Sequence, residues 1–178
     1  MPAKPEPLLF LVTGSQGAGK TTFCQHLVDA AREAGWQTAG LLSHPVFNGS
    51  LKIAIDAEDL ASGEIRRLAV RSDDPTPGSR HWKFIQEAVI WGDSILSAST
   101  PTDLLVVDEL GPLEFERGAG WQAGLNAVDS RLYAVAVVVV RPEFLGEALV
   151  RWSEANVVEI DTREESDIKS RVLASQIF

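Results

Sequence analysis

Residues 14–21 read Gly14-Ser15-Gln16-Gly17-Ala18-Gly19-Lys20-Thr21, and this octapeptide decides the fold. It matches the pattern G-x-x-x-x-G-K-[ST], in which glycine-rich backbone curls around phosphate groups and directs its amide N–H groups inward. An apolar stretch, Leu8 to Thr13, precedes the motif, and an amphipathic stretch, Lys20 to Ala34, follows it. The sequence therefore predicts a strand, a phosphate-binding loop and a helix, in that order.

The loop supplies most of the predicted nucleotide contacts. Lys20 is expected to reach the β- and γ-phosphates, and the Thr21 hydroxyl to ligate Mg²⁺. The positive end of the following helix favours the same anion. We assign nucleotide binding to the loop and the next helical residue, namely Gly14, Ser15, Gln16, Gly17, Ala18, Gly19, Lys20, Thr21 and Thr22.

A second motif ends an apolar stretch in two acids, Leu104-Leu105-Val106-Val107-Asp108-Glu109. In open α/β sheets, ligands bind beyond the carboxyl ends of the strands, so Asp108 is expected at the same edge as the loop. We predict that Asp108 holds Mg²⁺ through a water molecule, because Mg²⁺ keeps several of its waters. Glu109 is the candidate to orient or deprotonate the attacking water. The alternative is a pair of solvated acids at a strand end.

Apolar strands alternate with amphipathic stretches, which predicts an α/β fold with a mostly parallel sheet. Five core strands are expected, in the sheet order 5-1-4-3-2, because the most apolar strand belongs in the middle; they are 8–13, 38–43, 103–108, 132–140 and 157–160. An antiparallel hairpin, inserted at about residues 50–71, is predicted beside the second strand. Helices are expected on both faces of the sheet, in a single domain spanning residues 1–178, at 20–34, 82–97, 120–129, 142–152 and 165–174.

Composition and charge exclude several classes of partner. The chain has a net charge of −9 and no basic stripe, so nucleic acid is not an expected partner. No run of about 20 apolar residues exists to span a bilayer, and no membrane association is expected. The single cysteine, Cys24, cannot form an internal disulfide, which favours a reducing, cytoplasmic location. The sequence identifies no protein partner.

The phosphate loop, the hairpin with its Ser-Gly turn and the segment Val107-Asp-Glu-Leu-Gly-Pro-Leu-Glu114 together resemble the THEP1-type nucleoside-triphosphatases, a family of P-loop NTPases. The resemblance extends over nearly the whole chain, including Gly40–Ser43 and Ala57–Gly63. It implies an enzyme that uses Mg²⁺ to hydrolyse ATP, GTP and other nucleoside triphosphates to diphosphates, with limited base preference. Its most specific part is the D-E-x-G-x-x-E element, at Asp108, Glu109, Gly111 and Glu114.

Arginines are candidates for the remaining positive charge that phosphoryl transfer needs near the transition state. Arg141 follows the predicted central strand and is a candidate to contact the γ-phosphate. The alternative is an edge arginine paired with Glu143 or Glu147. Arg163, after the last strand, is a candidate to stack on the base.

Two further side-chain roles are expected. Arg80 and His81, in a polar loop, could close over the nucleotide. Glu114, through the family resemblance, could orient Glu109 or the waters of the metal.

Two other functions remain open on the sequence. The chain could be a kinase that passes the γ-phosphoryl group to a small-molecule acceptor, or a nucleotide-dependent switch or assembly factor. Such kinases usually have a lid with several arginines, and the polar segment 71–80 has arginine only at its two ends. Hydrolysis is therefore the preferred prediction.

Overall fold

The computed structural model of the protein describes residues 6–72 and 82–178. Eight β-strands occur in these residues: β1 (Leu8–Thr13), β2 (Thr38–Asn48), β3 (Leu51–Asp59), β4 (Ile65–Arg71), β5 (Trp82–Phe84), β6 (Thr102–Leu110), β7 (Tyr133–Val140) and β8 (Asn156–Glu159). The same residues form six α-helices: α1 (Lys20–Glu33), α2 (Gln86–Ser97), α3 (Pro112–Phe115), α4 (Gln122–Asp129), α5 (Leu145–Arg151) and α6 (Arg163–Ile177). A 3₁₀ turn at Pro142–Phe144 precedes α5.

The strands form one mixed sheet in the order β5-β4-β3-β2-β6-β7-β1-β8. Neighbouring strands from β2 to β8 in that order are parallel, whereas β2, β3, β4 and β5 pair antiparallel. The parallel part consists of the five predicted core strands, which are neighbours in the order β8-β1-β7-β6-β2. The whole sheet differs from the prediction in strand count and full order, because it continues past the predicted hairpin to β5.

The additional strand β5 lies at the start of the segment Trp82 to Ser97, for which a helix was predicted; the prediction was wrong for Trp82–Phe84 and is confirmed for Gln86–Ser97. Residues Trp82–Phe84 pair antiparallel with β4, and α2 begins only at Gln86. Trp82 and Phe84 are two positions apart, which is the period of a strand, while the helical spacing of apolar residues starts at Ile85. Hydrogen bonding to β4 therefore favours a strand over a helix at these three residues.

Strand β2 is longer than predicted and continues out of the parallel sheet. Its pairing with β6 ends at Leu41, opposite Val107, whereas its pairing with β3 continues to Asn48, opposite Leu51. The two strands β2 and β3 therefore extend beyond the carboxyl edge of the parallel strands. The predicted hairpin is present as β3 and β4, within an antiparallel meander that starts at β2.

Helices cover both faces of the sheet, as predicted. Phe23 and Leu27 of α1 pack with α6 in the core on one face. Trp91 of α2 and Leu125 of α4 pack with α5 in the core on the other face. Seven of the eight residues of β7 are buried, as expected for a central parallel strand. No helix within the described ranges is long and apolar enough to cross a bilayer.

Candidate active site

The glycine-rich motif forms the turn between β1 and α1. Gly14, Gly17 and Gly19 have positive φ angles of 141°, 83° and 103°, which L side chains rarely adopt. Gly14 is also close to the end of β8, since a Cβ on Gly14 would lie 1.9 Å from the carbonyl oxygen of Ile160. Glycine is required at position 14 for the backbone conformation and for this close approach.

Lys20 is the first residue of α1, and its side chain folds back across the loop. Its ammonium donates hydrogen bonds to the carbonyl oxygens of Gly14, at 2.7 Å, and Ser15, at 3.0 Å. The amine therefore lies against the loop, next to the N-terminus of α1, where free amides and the helix dipole favour an anion. Of the other predicted contact residues, Ala18 is buried, Gly14, Gly19 and Thr21 are half-buried, and the rest are exposed, namely Ser15, Gln16, Gly17 and Thr22.

Thr21 and Asp108 meet at the carboxyl edge of the parallel strands. The Thr21 hydroxyl donates a 3.0 Å hydrogen bond to Oδ2 of Asp108. The backbone amide of Ser43, just beyond the last β2–β6 pair, donates to the same oxygen at 3.1 Å. The Ser43 hydroxyl also donates to the Asp108 carbonyl at 2.7 Å. Strand β6, strand β2 and helix α1 are thus joined at one carboxylate.

The Asp108 carboxylate is in an unfavourable environment for a negative charge. Only 3% of the residue is exposed. Burial and the neighbouring Glu109 carboxylate raise the pKa of Asp108 from 3.8 to about 6, although the Ser43 amide, the Thr21 hydroxyl and Lys20 act in the opposite direction. A divalent cation at this carboxylate would offset the cost of burying its charge.

Glu109 lies in a β-bulge at the end of β6. Asp108 is opposite Val139 and Leu110 is opposite Val140, so Glu109 is an extra residue with no partner on β7. Bulges of this kind often redirect a side chain next to an active site. The Glu109 carboxylate is 3.7 Å from Nε of Arg141, and both side chains are partly exposed. The two acids at the end of β6 therefore differ in exposure: the Asp108 carboxylate is buried, and the Glu109 carboxylate is partly exposed beside Arg141.

The turn after β6 supports the position of Arg141. A Cβ on Gly111 would lie 3.3 Å from Nε of Arg141, so the arginine packs directly over this glycine. Glu114 fixes the same turn, because its carboxylate accepts hydrogen bonds from the backbone amides of Gly111, at 3.0 Å, and Trp121, at 2.9 Å. The structure thus gives Glu114 the task of holding this turn.

The N-terminus of α6 lies against the phosphate loop. Arg163 is its first residue and is exposed. A Cβ on Gly19 would lie 3.5 Å from the Cα of Arg163. The buried Ser166 hydroxyl donates a 2.8 Å hydrogen bond to the Gly19 carbonyl. The predicted base-stacking residue therefore lies beside the loop, in a helix that begins two residues earlier than predicted.

The fold brings together most of the residues predicted for the site. Lys20, Thr21, Asp108, Glu109 and Arg141 all lie where β1, β6 and β7 end. Arg80 and His81 fall outside the described residues. Among residues 6–72 and 82–178, no group of three or more His, Cys, Asp or Glu side chains has a geometry that could hold a metal.

Sequence reasoning assigned no role to two residues that the structure places at or near the site. Ser43 follows the apolar part of β2 just as Asp108 follows that of β6, a signal that could have been used. Ser166 is only one of several serines in α6, so its contact with the loop has no local signature.

The chain matches known proteins over most of its length. Residues 9–173 match the protein-family model described as NTPase. The chain is 30% identical to the nucleoside-triphosphatase THEP1 of Methanopyrus kandleri over 128 residues, which cover 72% of this chain and 71% of that protein. The chain belongs to the THEP1-type NTPase family. Its identity to the THEP1 of Ignicoccus hospitalis is 31% over 158 residues, which cover 87% of this chain and 90% of the other.

Two solved structures share the fold of this THEP1-type NTPase. The solution structure of a human cancer-related nucleoside triphosphatase superposes with a TM-score of 0.69 at 20% identity, covering 96% of this chain and 97% of that one. The crystal structure of THEP1 from Aquifex aeolicus gives a TM-score of 0.66 at 15% identity, covering 96% and 99%. The predictions of a THEP1-type family member and of an NTPase enzyme are confirmed.

Proposed function

We propose that this THEP1-type NTPase hydrolyses nucleoside triphosphates to diphosphate and phosphate, with Mg²⁺ and with little preference for the base. The observation that carries the proposal is the hydrogen bond between Thr21 and Asp108. It joins the phosphate loop to the acidic strand end, which are the two features that together hold a magnesium–triphosphate complex.

The donor set at this point fits Mg²⁺. A hydroxyl oxygen and a buried carboxylate oxygen lie 3.0 Å apart at Thr21 and Asp108. Mg²⁺ prefers oxygen ligands and in nucleotide sites usually takes one or two side chains, phosphate oxygens and several waters. Thr21 and Asp108 are the residues that would hold it. Bound there, the ion would supply positive charge that neutralises part of the charge of the phosphates.

Binding of the triphosphate is assigned to the loop and the two helix ends beside it. The loop amides and the N-terminus of α1 accept the phosphates, and Lys20 exchanges its bonds to the carbonyls of Gly14 and Ser15 for phosphate oxygens. Arg163 stacks on the base from the start of α6. Because every base has an aromatic face, a stacked guanidinium distinguishes poorly between bases, which supports the limited base preference.

Hydrolysis is assigned to Glu109 and Arg141. Glu109 accepts a proton from the attacking water while the oxygen of that water bonds to the γ-phosphorus. The bond between the γ-phosphorus and the bridging oxygen of the β-phosphate breaks, which releases the diphosphate. Arg141, 3.7 Å from the Glu109 carboxylate, and Lys20 balance the charge on the transferred phosphoryl group. The partly exposed Glu109 is accessible to water, in contrast to the buried Asp108.

The test is a phosphate-release assay with ATP, GTP, CTP and UTP, with and without Mg²⁺, in the absence of any acceptor. We expect all four nucleotides to be hydrolysed at rates within about tenfold of one another, and only with Mg²⁺. Lys20→Ala should weaken triphosphate binding. The control is Lys83→Ala, which changes an exposed lysine of β5 and should bind triphosphate as wild type does. Equal affinity in wild type and Lys20→Ala would contradict the site. Diphosphate formation that requires an added metabolite and yields that metabolite in phosphorylated form, without free phosphate, would favour a kinase.

A further inference from the structure

The backbone hydrogen bonds between β2 and β6 end just before the acidic end of β6. The first of them joins the Leu104 amide to the Gln37 carbonyl at 3.0 Å, and the paired register ends at Leu41. Because bonds in a parallel pair are evenly spaced, the next one would join the Ser43 amide to the Asp108 carbonyl. At this position the Ser43 amide donates to Oδ2 of Asp108 at 3.1 Å, and the Ser43 hydroxyl donates to the Asp108 carbonyl at 2.7 Å. A side chain therefore continues the contact between the two strands.

The carbonyl that accepts the Ser43 hydroxyl belongs to the peptide group that leads into Glu109. Glu109 is the extra residue of the bulge in β6 and has no partner on β7. On the other side of the bulge, the Arg141 amide donates to the Leu110 carbonyl at 3.5 Å, which is long for a hydrogen bond, whereas 2.7 Å is the usual length for a hydroxyl donor. The Ser43 hydroxyl therefore makes the stronger of these two contacts.

The Glu109 side chain depends on its backbone for its position. Its carboxylate is 3.7 Å from Nε of Arg141, and both side chains are partly exposed. An ion pair of this kind contributes little to fixing a side chain. A residue that accepts a proton during attack on phosphorus must be placed accurately, because a displacement of about 1 Å can cost about 100-fold in rate. The contact that fixes the bulge should therefore affect turnover.

We propose that Ser43 is a positioning residue for hydrolysis. Its hydroxyl fixes the peptide group between Asp108 and Glu109, so that the Glu109 carboxylate lies where it accepts the proton of the attacking water. The inference rests on the proposed function and adds to it a residue that acts through Glu109. The Ser43 amide has a separate task, because it holds the Asp108 carboxylate whatever side chain is present at position 43.

Ser43→Ala removes the bond to the Asp108 carbonyl and keeps the bond from the amide to the carboxylate. The contact between Thr21 and Asp108 should therefore remain, and phosphate binding with it. We expect kcat for ATP with Mg²⁺ to fall by about tenfold to 100-fold. Affinities for a β,γ-imido triphosphate analogue and for the diphosphate should change by less than about twofold. Ser43→Thr keeps a hydroxyl on a side chain that suits a strand, and it should recover most of kcat.

Thr102→Val is the matched control. The Thr102 hydroxyl donates at 3.0 Å to the Gln37 carbonyl, so it joins β6 to the residue before β2 at the opposite edge of the sheet. Valine has nearly the same shape without the hydroxyl, and kcat should match wild type. Titration calorimetry with the analogue also counts the folded sites. One analogue bound per chain in every variant shows that a lower kcat does not come from an unfolded fraction.

A double-mutant cycle tests whether Ser43 acts through Glu109. In Glu109→Ala there is no carboxylate to position, so adding Ser43→Ala should change kcat by less than about twofold. The same substitution in the wild-type background should cost about tenfold to 100-fold. Losses that multiply in the double variant would overturn the proposal, because Ser43 would then act on turnover by another route.

The outcomes separate this inference from the proposed function. If Glu109→Ala loses turnover while Ser43→Ala keeps the wild-type kcat, only the role of Ser43 is wrong. Equal losses in Ser43→Ala and Ser43→Thr also overturn it, because the hydroxyl is then not the group that matters. A loss of analogue affinity in Ser43→Ala as large as its loss of kcat would show a binding role instead. If wild type releases no phosphate, or if Glu109→Ala matches it, the assignment of hydrolysis to Glu109 and the role of Ser43 both fail.

Discussion

The Thr21 hydroxyl donates a 3.0 Å hydrogen bond to Oδ2 of Asp108, across 87 positions of sequence. The same oxygen accepts the Ser43 amide at 3.1 Å. One carboxylate oxygen therefore fixes the first turn of α1 against the ends of β6 and β2. This contact aligns the phosphate loop with the acidic strand end, and it does so at the expense of burying a negative charge.

Replacing Asp108 by Asn should stabilise the metal-free protein and abolish hydrolysis. The amide oxygen can still accept the Ser43 and Thr21 hydrogen bonds, but it carries no charge to desolvate. The folded-state pKa of Asp108, about 6, is above its ordinary 3.8, so the folded protein binds more protons and wild-type stability falls as pH rises from about 4 to about 6. We expect Asp108→Asn to gain at most about 3 kcal/mol above pH 6, from 1.36 kcal/mol per pKa unit.

Urea unfolding with a chelator, at pH values from 5 to 8, measures the effect of Asp108→Asn. The difference from wild type should grow between pH 5 and pH 7 and then stay constant. The exposed Asp29→Asn on α1 is the control and should show no such difference. A variant that is less stable than wild type at pH 7 would contradict the raised pKa.

Glu109→Gln should separate binding from turnover. The amide cannot accept a proton from water, so kcat should fall by about 100-fold or more, within the range that general-base catalysis supplies. Affinity for a non-hydrolysable triphosphate should stay within about threefold, because Glu109 lies beside Arg141 and not in the loop. Phosphate release and calorimetry measure the two quantities, and Glu147→Gln on the exposed face of α5 is the control. Unchanged kcat would remove Glu109 from the mechanism.

Glu114→Gln should loosen the turn that supports Arg141. The carboxylate accepts from two backbone amides, and a glutamine can accept from only one while its NH₂ group faces the other donor. Leaving a buried amide unsatisfied costs about 1–3 kcal/mol. We expect the free energy of unfolding to fall by that amount and kcat to fall with it. Glu116 is exposed two residues further on, and Glu116→Gln should leave both quantities unchanged. Equal stability of the two variants would contradict a role of the Glu114 carboxylate in holding this turn.

Gly14→Ala should be strongly destabilising, in contrast to Gly146→Ala. The added Cβ at position 14 would lie 1.9 Å from the Ile160 carbonyl at a φ of 141°, so β8 and the loop must shift, at a cost of about 2 kcal/mol or more. Gly146 lies in helix α5 with open space around it, and alanine there should be neutral or gain about 0.5–1 kcal/mol. Thermal melts of both variants and wild type measure this. Similar melting temperatures for the two variants would contradict the close approach of Gly14 to Ile160.

Only some of the candidate site residues lie in sequence motifs from which they can be predicted. The glycine spacing of the loop and the two acids after an apolar strand are each contiguous, so Lys20, Thr21, Asp108 and Glu109 could be predicted as site residues without coordinates. Trp82–Phe84 was misassigned because three residues carry too little pattern to choose between strand and helix. A strand this short exists only because β4 offers hydrogen bonds to it.

By itself, the amino-acid sequence determined the α/β class, the phosphate loop, the acidic strand end and the NTPase family, because each depends on residues that are neighbours along the chain or on strand-length apolar runs. Tertiary structure alone decided the position of Glu109, since it lies in a bulge whose register is fixed by the partner strand β7. It also decided that Ser43 and Ser166 support the site. Strand register and helix packing depend on contacts between distant segments, and no local pattern records them.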